Sequence, residues 1–149
     1  MGSWLGRVAA RYRMSVDQLC DDHQLELKSD TSGAGWLVQR PLPDTTIGRL
    51  AYLARLDEQQ LQEIQTPAAW AVAKRGEAYC AHCLFVNPVD VTSPRWKRAW
   101  LHPETRHCEV HGTPLATIAC GVLRQCQNFD KTIKAVGRLE FERARNADK

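Results

Sequence analysis

Two short spacings constrain this chain more than anything else in it: Cys80-x2-Cys83 and Cys108-x2-His111, with 24 residues between Cys83 and Cys108. A two-residue gap lets two side chains reach one ion from a tight turn. Two such pairs in a short window supply three thiolates and an imidazole, the soft and borderline donors that tetrahedral zinc takes. The pattern predicts one Zn2+ held by Cys80, Cys83, Cys108 and His111, a Cys3His finger whose pairs are brought together by a short antiparallel excursion. His82, inside the first pair, and His107, beside Cys108, are the rival fourth ligands. Adjacent residues seldom point at one ion, which favours His111. Four protein donors leave no open position for water or substrate, so the site is expected to be structural and its loss to unfold this half of the chain.

Six cysteines could also form a disulfide set. The segment Gly2 to Tyr12 carries Arg7 and Arg11 and never reaches an apolar run of signal-peptide length, so the thiols are expected to be reduced, in a cytoplasm. A redox C-x-x-C would need a strand-to-helix setting and would leave the second pair unexplained. A zinc hydrolase would need an open coordination position and a general base, and neither is apparent; the chain reads as no enzyme. No run is long enough to cross a membrane. At 149 residues, 44% of them hydrophobic, the chain suits one compact domain or two small ones. Its net charge of +3 is uneven: residues 1 to 70 hold 7 Lys/Arg against 9 Asp/Glu, and residues 71 to 149 hold 13 against 8. Three thiolates and one Zn2+ would take a further unit off the basic half, leaving a mild bias compatible with nucleic acid.

The first half reads as one helical unit used twice. Leu5, Val8, Ala9 and Tyr12 follow a helical stripe, Met14 fills a corner, and Ser15 caps a second helix with Gln18 three residues on, a capping box. Forty-two residues later Ile47, Leu50, Ala51 and Ala54 repeat the stripe, and Asp57 with Gln60 repeats the cap. Gly6, Arg7, Ala9, Arg13, Gln18 and Leu19 are matched by Gly48, Arg49, Ala51, Arg55, Gln60 and Leu61, an unbroken register. Six identities with both caps in place favour duplication over convergence, so two helix-turn-helix-like copies are expected at about 3-27 and 45-66. Between them Lys28 to Thr45 is rich in Ser, Gly and Pro and reads as a loop, pinned by Trp36 and Leu37. The second helices argue against base reading. Asp17, Asp21 and Asp22 in one, and Glu58 and Glu63 in the other, would repel phosphates at every turn of a groove.

Thr66 as cap and Pro67 at the first helical position open a third helical stretch through Trp70 and Val72, stopping near Gly76. Within the finger, Arg95-Trp96-Lys97-Arg98-Ala99-Trp100 interleaves cations with rings. The tryptophans are expected to pack as core, in a strand against the zinc site, while Arg95, Lys97 and Arg98 are candidates for nucleic-acid contact. A terminal helix from Phe129 to Arg145 places Phe129, Ile133 and Val136 on one side. Lys131, Lys134 and Arg138 line the other, facing solvent, DNA backbone or an acidic partner, and the last residues fray.

The order Ser3-Trp4-Leu5, two helix pairs, Tyr79-Cys80-x-x-Cys83-Leu84, Arg95-Trp96 and Cys108-x-x-His111-Gly112-x-x-Leu115 resembles the TniQ family, also called TniQ/TnsD, over roughly residues 3 to 126. The resemblance implies a non-enzymatic adaptor for transposon target-site selection. Such an adaptor links a target-recognition complex, in some systems an RNA-guided CRISPR effector with its guide RNA, to an AAA+ ATPase transposition regulator. The competing reading is a stand-alone zinc-finger and helix-turn-helix DNA-binding regulator. Ala81 stands where the family commonly has Pro. Cys120 and Cys126 stand where relatives often begin a second finger with C-P-x-C, but no later cysteine completes one, so both are expected in core. The long DNA-binding C-terminal part of larger relatives is also missing. The expected fold is mainly α with a small β-containing finger: the duplicated helical unit over 1-66, the zinc-finger module over 67-128, and a C-terminal helix and tail over 129-149.

Overall fold

The apolar stripes of the first half fold as two helix pairs: α1 (Gly2–Arg11) with α2 (Val16–Asp22), and α3 (Asp44–Ala54) with α4 (Glu58–Glu63). The computed structural model describes residues 1–26, 35–38, 40–70, 74–86 and 94–147. Ser15 caps α2 through the reciprocal box, its hydroxyl accepting from the Gln18 amide at 3.0 Å while the Gln18 side chain accepts from the Ser15 amide at 2.8 Å. Asp57 caps α4 differently, accepting from the Gln59 amide at 2.8 Å, so Gln60 closes no box there. The two turns share a signature the sequence does not spell: Arg13 and Arg55, equivalent in the repeat, both take left-handed backbone angles, φ 59° and 53°.

The pairs differ in how deeply they are embedded. Val16, Leu19 and Cys20 of α2 are all buried, whereas α4 buries Leu61 alone. Trp36, in a 3-10 turn over Gly35–Leu37, lies against Gly6 of α1 so closely that a Cβ there would stand 2.2 Å from the ring. Its indole donates to the Cys126 carbonyl at 2.5 Å. Tyr12, placed by the periodicity on the apolar stripe, is 65% exposed: α1 ends at Arg11 and the turn swings the ring outward.

The second half carries a two-stranded antiparallel sheet, β1 (Gly76–Tyr79) on β2 (Ala116–Ala119), with Gly76 opposite Ala119 and Tyr79 opposite Ala116. Two helices follow, α5 (Cys120–Gln125) and α6 (Phe129–Ala147). Asn128 joins them to the front of the chain. Its side-chain oxygen accepts from the Lys131 amide at 3.2 Å, capping α6, and its side-chain nitrogen donates to the Met14 carbonyl at 2.9 Å. One continuous core holds Leu5, Val16 and Ile47 of the helix pairs with Tyr79, Trp100, Ile118, Leu123 and Val136 of the second half.

The expected fold class is the observed one, mainly helical with a small sheet and a Cys3His cluster. Local readings differ in three places. The stretch after Pro67 is a 3-10 turn at Ala68–Trp70, and the Thr66 hydroxyl, buried and without a hydrogen-bond partner, caps nothing; Val72 lies outside the described residues. At Arg98–Leu101 the chain forms a 3-10 turn instead of a strand, because Trp100 and Leu101 are consecutive and both buried, and strand alternation would send them to opposite faces. Of the loop expected over Lys28 to Thr45, residues 28–34 and 39 lie outside the described residues; the rest holds the 3-10 turn Gly35–Leu37, with Trp36 and Leu37 buried, and enters α3 at Asp44. Among the described residues no helix is long and apolar enough to cross a membrane.

Candidate metal centre

The sheet delivers the first pair of donors. Tyr79 ends β1, Cys80 follows it, and a π-helical turn over His82–Val86 brings Cys83 back beside Cys80, with the Leu84 amide donating to the Cys80 carbonyl at 3.2 Å. The second pair sits on a tight reversal. The Gly112 amide donates to the Cys108 carbonyl and the Cys108 amide to the Thr113 carbonyl, both at 2.8 Å. Gly112 makes that reversal at φ +63°, a conformation a side chain would strain. A bridge between His107 and Pro114 closes the loop's base.

These turns converge the three Sγ atoms of Cys80, Cys83 and Cys108 with a ring nitrogen of His111, all within 4.8 Å of one another. Cys83 Sγ lies 3.6 Å from Cys108 Sγ, and His111 Nδ1 lies 3.3 Å from Cys83 Sγ and 3.6 Å from the sulfurs of Cys80 and Cys108. With metal–sulfur bonds of about 2.3 Å and a metal–nitrogen bond of about 2.1 Å, a regular zinc tetrahedron has S···S edges of about 3.8 Å and S···N edges of about 3.6 Å. The donor set therefore fits one tetrahedral ion in both kind and spacing. All six cysteines are free thiols.

The electrostatics favour charge at one corner and oppose it at another. Burial works against a thiolate on Cys108, but the backbone N–H and ring of His111 and the N–H of Val110 serve its sulfur and bring it down to about 6. Burial, the hydrogen bond with Cys108 and the nearness of Cys80 push Cys83 up to about 12, with Lys97 partly offsetting them. The Thr113 hydroxyl stands 3.8 Å from Cys80 Sγ, a supporting partner outside the donor set. The spacing pattern gave no hint of Thr113; a hydroxyl two residues past a terminal ligand is too common to read.

Of the rival ligands, His82 stacks on His111 with ring centroids 5.3 Å apart and His107 is exposed in the bridge; neither belongs to the converging group. The Cys120 thiol is buried and donates to the Lys74 carbonyl, and the Cys126 thiol is buried and donates to the Val122 carbonyl, each at 3.3 Å. Burial, with Glu77 nearby, raises Cys120, and burial raises Cys126. Among the described residues no second group of His, Cys, Asp and Glu converges in this way.

The basic candidates fall into two places. Arg95, Lys97 and Arg98 line a cleft of about 940 Å³ with Trp4, Trp70 and Arg7. Arg98 donates to the carbonyls of Glu63 and Gln65 and lies 6.0 Å over the Trp70 ring, and Lys97 is 3.9 Å from Glu109. Lys131, Lys134 and Arg138 instead share a trough between α5 and α6.

The TniQ family model matches residues 1–115. The chain belongs to the TniQ family. The match takes in both helix pairs and all four donors, and it stops one residue before β2. Membership in TniQ gives the chain a transposition-associated, target-selection role within a non-catalytic accessory family, whose members act in transposition complexes. No curated protein and no solved structure matches the chain.

Proposed function

We propose that this TniQ-family protein is a non-enzymatic adaptor in transposon target selection, joining a target-recognition complex to an AAA+ ATPase transposition regulator. The observation that carries the reading is the match to TniQ across both helix pairs and the donor cluster, in a chain where each conspicuous feature serves packing and display. The recognition complex is, in this reading, an RNA-guided CRISPR effector or an equivalent device.

Zinc is the ion we assign to Cys80, Cys83, Cys108 and His111, on the softness of three thiolates and the tetrahedral spacing. When bound, it supplies cross-linking of the two turns, not chemistry on a substrate. The reduced thiols suit a cytoplasmic setting. In the three-part division, 1-66 and 129-149 offer partner surfaces and 67-128 fixes their relative placement. Backbone contacts to DNA fall to Arg95, Lys97, Arg98, Lys131, Lys134 and Arg138. The internal engagements of Lys97 and Arg98 and the acidic α2 and α4 make such contacts auxiliary.

The deciding experiment is pull-down of the protein with the AAA+ ATPase of its own element, with and without ATP and duplex DNA. Binding that requires the nucleotide-loaded, DNA-bound ATPase is expected. Failure under every condition, with salt-sensitive DNA binding by the protein alone, would transfer the assignment to a stand-alone DNA-binding regulator.

A further inference from the structure

The trough beside α6 combines an apolar floor with a cationic rim. Its floor is apolar, formed by Val122, Cys126, Ala135 and Phe141, its rim carries three cations, Lys131, Lys134 and Arg138, against the one carboxylate of Glu142, and its volume is about 790 Å³. Phe141 is 70% exposed although it sits on a helix whose inner face, Thr132, Ala135 and Val136, is buried. The Phe85 ring stands over Gly137, where a Cβ would meet it at 3.7 Å, and there a second hollow of about 320 Å³ opens against Ala81, Phe85 and Val86, with Glu140 at its edge engaged by Tyr79 and Arg143. Phe85 is 44% and Val86 65% exposed. The two hollows share Gly137, so the surface is a saddle, apolar on both flanks and cationic along one.

A single exposed apolar side chain needs no explanation, but a contiguous set beside like charges marks an interaction surface. Duplex DNA would use the cations through its phosphates and leave the apolar floor wet. A helix with an apolar stripe and an acidic flank uses both, and the charge complementarity fixes its orientation. We propose that this saddle docks an acidic amphipathic helix of a protein partner, laid across α6 at Gly137. Its apolar stripe rests on Phe141 and Phe85, and its carboxylates face Lys131, Lys134 and Arg138. The proposal rests on the adaptor reading for the existence of a protein partner, and adds where it docks and by what chemistry.

The test needs no ATPase, so its failure is separable from failure of the pull-down. A fluorescein-labelled peptide with Leu and Phe on one helical face and Glu on the other is titrated with the zinc-loaded full chain and followed by anisotropy. The comparators are a scrambled peptide of the same composition, a version with Lys in place of Glu, and a short DNA duplex. Saturable binding of the acidic peptide alone is expected. Phe141→Ser, and Lys134→Glu with Arg138→Glu, should each weaken it about tenfold or more. The charge-reversed chain should in turn bind the Lys peptide, which a misfolded variant would not do. No binding of the acidic peptide, equal binding of the scrambled one, tighter binding of the duplex, or variants that bind as the parent does would overturn the proposal.

Discussion

Tyr79 stands one place before the first cysteine of the cluster and is wholly buried, its ring 5.7 Å from that of Trp96. Its hydroxyl donates to Glu140 at 2.5 Å and accepts from Arg143 at 2.7 Å, which ties the finger to α6. Burial first, then the bond to Glu140, raises its ionisation well above the ordinary tyrosine value of 10.0. The folded protein keeps this proton where the unfolded chain gives it up, so the stability it contributes is complete below pH 10.0 and is lost as pH climbs above that value. Tyr79→Phe should lower stability at neutral pH by about 1 kcal/mol for the lost hydrogen bonds. It should then lose less than the parent on going to alkaline pH, as urea midpoints across the range would record; parallel losses in both chains would contradict the linkage. The motif around Cys80 made Tyr79 conspicuous in the sequence. Its partners were not legible, because they lie 61 and 64 residues away and their pairing is fixed only once α6 crosses the sheet.

Among the elements, α6 depends most on a residue that no spacing singles out. Asn128 caps it and reaches the Met14 carbonyl at the turn between α1 and α2. Asn128→Ala should cost about 1–2 kcal/mol, cap and buried acceptor together, while Asn128→Asp should recover the cap share alone. Thermal melts of the three chains separate the two contributions, and equal melting of parent and Asp variant would dismiss the bond to Met14. What could be read at this scale was whatever is written within four residues. The Ser15 box, the stripes of α1 and α3 and the apolar side of α6 are local, so spacing displays them. Asp57 and Gln60 carry the same letters as a box, yet the Asp57 side chain is satisfied one residue earlier, at Gln59. The turn around Trp100 is likewise not legible, because it follows from burying Trp100 and Leu101 side by side, and that burial is set by distant packing and not by the local alternation of cations and rings.

At the scale of the molecule, the donor set was the most legible feature, since ligand spacing is a property of the chain itself; the extent of what it supports was not. Cys80, Cys83 and Cys108 lie in the same core as Leu5, Val16 and Ile47. Free energies of order 10 kcal/mol for structural zinc are comparable with the whole stability of a domain this size. Stripping the metal with a strong chelator should therefore reduce helical signal from α1 and α3 as well as loosen the finger, where the sequence alone suggested that only one half would unfold. Far-ultraviolet circular dichroism with and without chelator reads this directly, and helical signal that survives complete metal loss would show the two halves to be independent.

The stretch by which kinship is recognised closes at residue 115, and several of its own needs are met beyond that point. β1 finds its partner strand at Ala116–Ala119, the Trp36 indole its acceptor at Cys126, the Val16 amide its acceptor at Gln127, and the Met14 carbonyl its donor at Asn128. The recognisable stretch is thus smaller than the packed body it belongs to. A fragment ending at residue 115 should expose Trp36 and the sheet edge, aggregate, and fall to protease at once, while the full chain resists.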